Sequence, residues 1–212
     1  WGWKSFKIAE QFQDATVMST TLNSIGSAML FIDYERGCEL LTQSLDIARE
    51  ANIQINVSAA LGNLASGSGE LYQFHKAEQY ALEGLAFAAE YDMDNHYQYL
   101  TSWLALIYLY RGKWSAAADA AWEVLNSRTV ASYSRIMALL ALGRLRTRRG
   151  DPGAAELLDE ALELALETKH LQRIAPARGA RAEMFWYQGE HDRMVEEAQA
   201  SYDMAMRYRH PW

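Results

Sequence analysis

The 212-residue sequence has almost no cysteine, the residue whose disulfides stabilise small proteins that lack a large core. Its single cysteine, Cys38, excludes an internal disulfide and is typical of a reducing cytoplasm. No apolar run approaches the roughly 20 residues that span a bilayer, and no signal peptide opens the chain. With only 3 prolines and half of its residues hydrophobic, the sequence predicts a largely α-helical cytoplasmic protein with no membrane contact.

Positive charge is scarce in the first part of the chain. Residues 1–130 carry 15 Asp/Glu against 8 Lys/Arg, a net charge of −7, whereas residues 131–212 carry 12 of each. An acidic surface repels phosphates, so we expect no direct binding of nucleic acid. The one local exception is the run of Arg144, Arg146, Arg148 and Arg149.

The sequence also lacks the residue groupings that catalysis or metal binding requires. None of the five histidines has a second histidine at the i, i+4 spacing of a zinc site; they are His75, His96, His170, His191 and His210. No serine lies in a nucleophile elbow, and Cys38 has no obvious base partner on its apolar helix face. We therefore predict no enzyme activity, no catalytic residue, no metal site and no cofactor.

A helical hairpin is the clearest pattern present. Residues 135–168 place apolar side chains at helical spacing, stop at Gly150, and restart after Pro152, which is tolerated near the start of a helix. Turn glycines recur at Gly112, Gly150 and Gly189, 38 and 39 residues apart. The sequence thus predicts an all-α fold, a right-handed α-solenoid of antiparallel hairpins with a period of 38–40 residues.

The period divides the chain into one repeat domain, residues 1–212. A lone leading helix occupies residues 1–13, and we expect hairpins at 14–52, 53–92, 93–130, 131–169 and 170–210. Because the leading segment already resembles the second helix of a hairpin and the sequence begins without Met, we expect a fragment of a longer protein. Small residues are predicted to allow the second helix of each hairpin to cross the first closely: Gly26, Ala65, Ala105, Gly143 and Ala182.

The small residue within the first helix, the turn glycines in RGKW, RRGD and YQGE, and the alanine after each turn resemble the tetratricopeptide repeat (TPR). More narrowly, NLASGSGEL, RIMALLALGRLRTRRGDPGAAELLDEALELA, LQRIAPARGARAEMFW and the terminal RHPW resemble the repeat region of large bacterial LuxR-type regulators, similar to the MalT class of signal-transducing ATPases. In that family a P-loop ATPase and a helix-turn-helix flank the repeats. This sequence has neither GxxxxGK[ST] nor a recognisable DNA-reading helix, so those activities do not carry over.

In a right-handed stack of hairpins the first helices line a concave groove, and residues opposite the close-packed position face it. This projection nominates twelve residues for binding a ligand or peptide: Asn23, Ser24, Ser27, Asn63, Ser66, Glu70, Tyr99, Ser102, Trp103, Tyr110, Arg144 and Arg148. Amide and aromatic groups can hold an extended peptide or a helix, and arginines can clamp a carboxylate. The alternative is that Trp103 and Tyr110 pack between neighbouring helices, and that the arginines from Arg144 to Arg149 form a solvated face whose charges balance those of Glu156, Asp159 and Glu163.

Two functional hypotheses follow. The first is the sensor or scaffold segment of a bacterial transcriptional regulator, with a protein, a peptide or a small-molecule inducer as partner. The second is a free-standing TPR adaptor for the assembly of protein complexes. The ends of a repeat stack also expose apolar side chains, here Trp3, Phe6 and Phe12 at one end and Met204, Tyr208 and Trp212 at the other, which predicts an end-to-end homodimer.

Overall fold

The computed structural model describes residues 1–208, without the side chain of Tyr208, and this part of the chain is all-α. His210, Trp212 and the RHPW motif lie outside the described residues. The eleven helices of this part are α1 (Gly2–Gln11), α2 (Ala15–Met29), α3 (Tyr34–Glu50), α4 (Gln54–Glu70), α5 (Phe74–Glu90), α6 (Asp94–Tyr110), α7 (Trp114–Leu125), α8 (Ser132–Arg149), α9 (Ala154–Thr168), α10 (Leu171–Gln188) and α11 (His191–Tyr208).

The predicted period is confirmed by the helix starts. The even-numbered helices α2 to α10 are the first helices of hairpins, and their starts are 39, 40, 38 and 39 residues apart. Each is followed after a short turn by its partner, and α2 packs on α3, α4 on α5, α8 on α9 and α10 on α11. The prediction of an all-α fold built from successive helical hairpins is therefore correct.

The chain forms two compact units, of which the first is Trp1–Leu100 and the second begins at Thr101, within α6. In the first unit α2 contacts α4, and in the second α8 contacts α10, so neighbouring first helices touch in both. The core of the first unit includes Leu41, Leu61 and Leu64, which are completely buried. The second unit buries Ile136, Leu139 and Leu158 in the same manner.

Most turns end a helix with a residue in the left-handed conformation. Within hairpins this residue is Gly112, Gly150 or Gly189, as the sequence predicted, but also Tyr72 at φ +60°. Between hairpins it is Gln13, Asn52, Asp92 or Lys169, which were not predicted. At these ends, except at Lys169, an N–H beyond the helix bonds a carbonyl five residues back, as in Gln73 N to Ser68 O at 2.8 Å, which satisfies a terminal carbonyl.

Close packing within hairpins depends on small residues, as expected for Gly26 and Gly143. A Cβ on Gly26 would lie 3.0 Å from Leu41 N on α3, and a Cβ on Gly143 would lie 2.5 Å from a methyl carbon of Leu158 on α9. The closest backbone approach, which the sequence analysis missed, is at Gly37. A Cβ there would lie 2.6 Å from Leu30 N, so the start of α3 fits against the end of α2 only without a side chain.

Arg181 directly precedes the small residue Ala182, at the position where the other first helices carry a bulky apolar residue: Ile25, Leu64, Leu104 or Leu142. Its guanidinium pairs with Asp159 on α9 and, at 2.7 Å, with Glu197 on α11. Arg178 also bonds Glu197 at 2.7 Å, and this carboxylate is only 8% exposed as a residue. The last hairpin is thus joined to its neighbour partly by a shielded ion-pair network.

None of the helices in residues 1–208 is both long and apolar enough to cross a membrane. At the first end of the chain, Trp3 and Phe12 are exposed and Phe6 is half-buried. At the other end Met204 is half-buried, whereas the Tyr208 side chain and Trp212 lie outside the described part. The end-to-end homodimer stays a prediction.

Replacing Gly37 with alanine is expected to destabilise the first unit by about 3 kcal/mol, because the new methyl group would overlap backbone atoms of Leu30. The matched control is Gly62→Ala, whose methyl group would meet the Tyr99 ring at an ordinary 3.6 Å. That change is expected to be neutral or to stabilise the helix by up to about 1 kcal/mol. Urea unfolding followed by circular dichroism measures both, and equal effects would contradict the packing argument.

Candidate functional site

A row of polar side chains lies where α2 and α4 pack together in the first unit. Asn63 Nδ2 donates to Asn23 Oδ1 at 3.1 Å, so two of the nominated residues meet as expected of neighbouring first helices. Two turns earlier on α4, Asn56 Nδ2 lies 2.7 Å from Ser19 Oγ and 3.1 Å from Thr20 Oγ1. The polar row is defined as Ser19, Thr20, Asn23, Asn56 and Asn63.

Asn56 was missed by the sequence analysis, although its spacing of seven residues from Asn63 places both on one helix face. All three asparagines of the polar row are half-buried. Three side-chain groups of the row have no hydrogen-bond partner within the described residues: Oδ1 of Asn56, Oδ1 of Asn63 and the NH₂ group of Asn23. In addition to its internal hydrogen bonds, the polar row can therefore both donate hydrogen bonds to a ligand and accept them from it.

Ser24 and Ser27 lie on the same helix but use their hydroxyl protons internally. Ser24 Oγ donates to Thr20 O at 3.0 Å, and Ser27 Oγ donates to Asn23 O at 2.7 Å. These bonds leave only oxygen lone pairs for a ligand. Ser24 is exposed and Ser27 is half-buried, so both remain at the surface of α2.

Four nominated residues are buried: Ser66, Glu70, Ser102 and Trp103 are each 7% exposed or less. A ligand would reach these side chains only by displacing their present neighbours. Trp103 Nε1 is buried without a hydrogen-bond partner in the described part of the chain. Tyr99 is half-buried and lies over Gly62 of α4, within the first unit.

The remaining three nominated residues form a cluster in the second unit. Arg144 donates to the Tyr110 hydroxyl, and the guanidinium carbons of Arg144 and Arg148 lie 5.7 and 5.5 Å from the centre of the Tyr110 ring. Glu183 of α10 binds Arg148 Nε at 2.6 Å and lies 3.7 Å from Arg144 Nε. Tyr110, Arg144, Arg148 and Glu183 are called the Tyr110 cluster below.

The Tyr110 cluster supplies its own carboxylate. Burial alone would lower the pKa of Arg148, but the hydrogen bond and charge of Glu183 outweigh it and raise that pKa above its usual value. Arg144 and Arg148 therefore pair with Glu183 and with neither Glu156 nor Glu163, and Asp159 pairs with Arg181 instead. Sequence reasoning missed Glu183 because it lies on the next first helix, 35 residues after Arg148.

No protein-family model matches the sequence, and no curated protein matches it either. The resemblance to the repeat region of LuxR-type regulators therefore stays an expectation from the quoted motifs.

Cys38 lies in a shielded cluster and not beside a catalytic base. Tyr34 Oη and Ser68 Oγ are 2.9 Å apart, and Lys76 Nζ lies 4.9 Å from the centre of the Tyr34 ring. Burial raises the pKa of the Cys38 thiol and of the Tyr34 and Tyr80 phenols, so all three favour the protonated form. This is the environment of a structural thiol rather than a reactive one.

No group of three or more His, Cys, Asp and Glu side chains is arranged for metal binding within residues 1–208. His96 is half-buried, and burial lowers its pKa, so it favours the neutral form. His210 lies outside this range.

Glu183→Gln is expected to destabilise the second unit by about 1–3 kcal/mol, because two partly buried guanidinium groups lose their counter-charge. Glu190→Gln is the matched control in the same unit, since its ion pair with Arg193 is exposed and should contribute less than about 1 kcal/mol. Thermal and urea unfolding measure the difference. A loss in the control as large as that in Glu183→Gln would contradict the role of the Tyr110 cluster.

The first unit is expected to lose stability as the pH rises above about 8.5, the ordinary pKa of cysteine, and further above about 10, that of tyrosine. The unfolded chain releases these protons, whereas the folded state holds them on Cys38, Tyr34 and Tyr80 because their pKa values are raised. Urea unfolding at several pH values measures the loss. Tyr34→Phe should flatten the dependence and the exposed Tyr91→Phe should not; identical curves would refute the assignment.

Proposed function

We propose that the chain is a non-enzymatic binding scaffold that holds an extended peptide or protein segment on its first helices. The observation that carries this proposal is the polar row, in which Asn23, Asn56 and Asn63 expose unused amide groups on two adjoining helices. A peptide backbone offers an N–H and a C=O at each residue, and side-chain amides can pair with both.

The wider role that we propose is the sensor segment of a cytoplasmic bacterial LuxR-type transcriptional regulator. The repeat motifs of the sequence and its helical hairpins support this role. Occupancy of the scaffold by a protein, a peptide or a small inducer would be relayed to ATPase and DNA-binding modules elsewhere in the regulator. The alternative is a free-standing adaptor that uses the same surface for protein assembly.

Peptide binding can be tested with a displayed library of peptides selected on the immobilised chain, followed by calorimetry of the selected peptides. Asn63→Ala is expected to weaken binding about three- to tenfold, because one or two hydrogen bonds are lost. The matched control is Asn95→Ala, which removes an exposed amide in the first turn of α6 and should leave the affinity unchanged. Failure to select a peptide, or equal effects of both variants, would refute the binding surface.

The regulator and the adaptor are separated by the surrounding coding sequence. A P-loop ATPase and a helix-turn-helix in the same open reading frame would support the regulator. The absence of both would refute it and leave the adaptor.

A further inference from the structure

A cleft of about 460 Å³ lies in the second unit, apart from the polar row. Its walls are the last turn of α8 from Arg146 to Gly150, Asp151 and Ala154 at the start of α9, and Met184, Tyr187 and Gln188 on α10. The volume is within the roughly 300–1,000 Å³ of small-molecule sites. This space is called the α8–α10 cleft below.

The charge of the cleft walls is opposite in sign to that of the whole chain. Three guanidinium groups, Arg146, Arg148 and Arg149, face one carboxylate, Asp151, whereas the chain carries a formal charge of −7. Glu183 lies next to the cleft and is bound to Arg148.

Glu156 is also a neighbour of Arg146, because a Cβ on Gly153 would lie 2.6 Å from Arg146 Nη1 and 3.9 Å from Glu156 Oε2. With Glu183, Glu156 and Arg144, the second partner of Glu183, included, four guanidinium groups meet three carboxylates, and this small excess of positive charge favours an anion.

Among the three arginines of the cleft walls, Arg146 has the most N–H donors that are not engaged in an ion pair. Its Nη1 donates to the neutral carbonyl of Pro152 at 3.2 Å, and its guanidinium carbon lies 5.8 Å from the centre of the Trp122 ring. No carboxylate in the described residues lies within ion-pair distance of this group. A guanidinium has five N–H donors, so Arg146 can bind an incoming anion without giving up an existing ion pair.

Arg149 can contribute at low cost, whereas Arg148 is already committed. The Arg149 pair with Asp151, at 3.1 Å, is close to half exposed on both sides, and such pairs are worth about 0–1 kcal/mol. Arg148 is held by Glu183 and provides fixed positive charge in the wall. The start of α9 has no side-chain cap, but Glu156 in its first turn offsets the positive potential of the helix dipole, so the arginines carry the attraction for an anion.

The side of the cleft formed by α10 is less polar. Met184 is buried and forms part of the wall, while Tyr187 is 61% exposed as a residue, so its ring is accessible to a flat group. A ligand whose anionic group binds the arginines would therefore place its remaining atoms beside the aromatic ring of Tyr187 and the thioether of Met184.

We propose that the α8–α10 cleft binds a small organic anion, a phosphate or carboxylate joined to an apolar or aromatic body. Arg146 and Arg149 bind the anionic group, and Tyr187 packs against the body. The inference does not depend on peptide binding at the polar row, because the residues involved belong to the other unit.

The test is calorimetry of the full chain at low salt with phenyl phosphate, benzoate and, as the neutral body, phenol. Binding of either anion with a Kd below about 1 mM, and at least about tenfold tighter than phenol, is expected. Tighter binding of phenyl phosphate assigns a phosphate ligand, and tighter binding of benzoate assigns a carboxylate. Equal binding of phenol, or no binding of either anion, would overturn the proposal.

Arg146→Gln and Arg149→Gln are each expected to weaken anion binding, together by about tenfold or more. Arg149 is exposed, so its variant keeps the test valid if loss of the Arg146 contact with Trp122 impairs folding. The matched control, Arg36→Gln, removes one exposed guanidinium from the first unit and should have no effect. Unchanged binding in both cleft variants, or an equal loss in the control, would overturn the site. Asn63→Ala should also leave anion binding unchanged, which separates this result from that of the proposed scaffold.

Discussion

The close approach of paired helices is the constraint on which the rest of the molecule depends. At Gly37 the start of α3 touches the backbone at the end of α2, and at Gly143 a leucine of α9 fills the space that a side chain would take. Such contacts bring the two helices of these hairpins together at interior packing density. Because a hairpin buries only part of its apolar surface, neighbouring first helices then pack on each other, α2 on α4 and α8 on α10.

The candidate sites are consequences of these contacts between first helices. In the first unit the adjoining surface is lined by asparagine and serine, and the polar row combines internal hydrogen bonds with unused amide groups. In the second unit the same kind of surface carries Tyr110, two arginines and Glu183, whose charges compensate one another. One architecture therefore presents neutral polar chemistry in one unit and ionic chemistry in the other.

The ionic contacts of the second unit explain why its balanced charge does not produce a uniform surface. Glu197 and Glu183 each form ion pairs with two arginines in partly buried positions. Arg146, by contrast, bonds a neutral carbonyl and stacks on Trp122 at the edge of the α8–α10 cleft. The unequal pairing of the arginines, and not the net charge of the whole unit, determines where in the second unit an anion could bind.

The sequence by itself determined the helical hairpins, their period and the small residues at Gly26 and Gly143, because these features follow from local apolar spacing and turn chemistry. It also nominated Asn23 and Asn63 on neighbouring first helices, and the structure joins their side chains by a hydrogen bond. Only the tertiary structure decided that Trp103 is buried, that Glu183 binds Arg148, and that Arg146 faces a cleft. The physical reason is that these outcomes depend on side chains from helices about 35 residues apart, whose rotation and distance a repeat pattern does not specify.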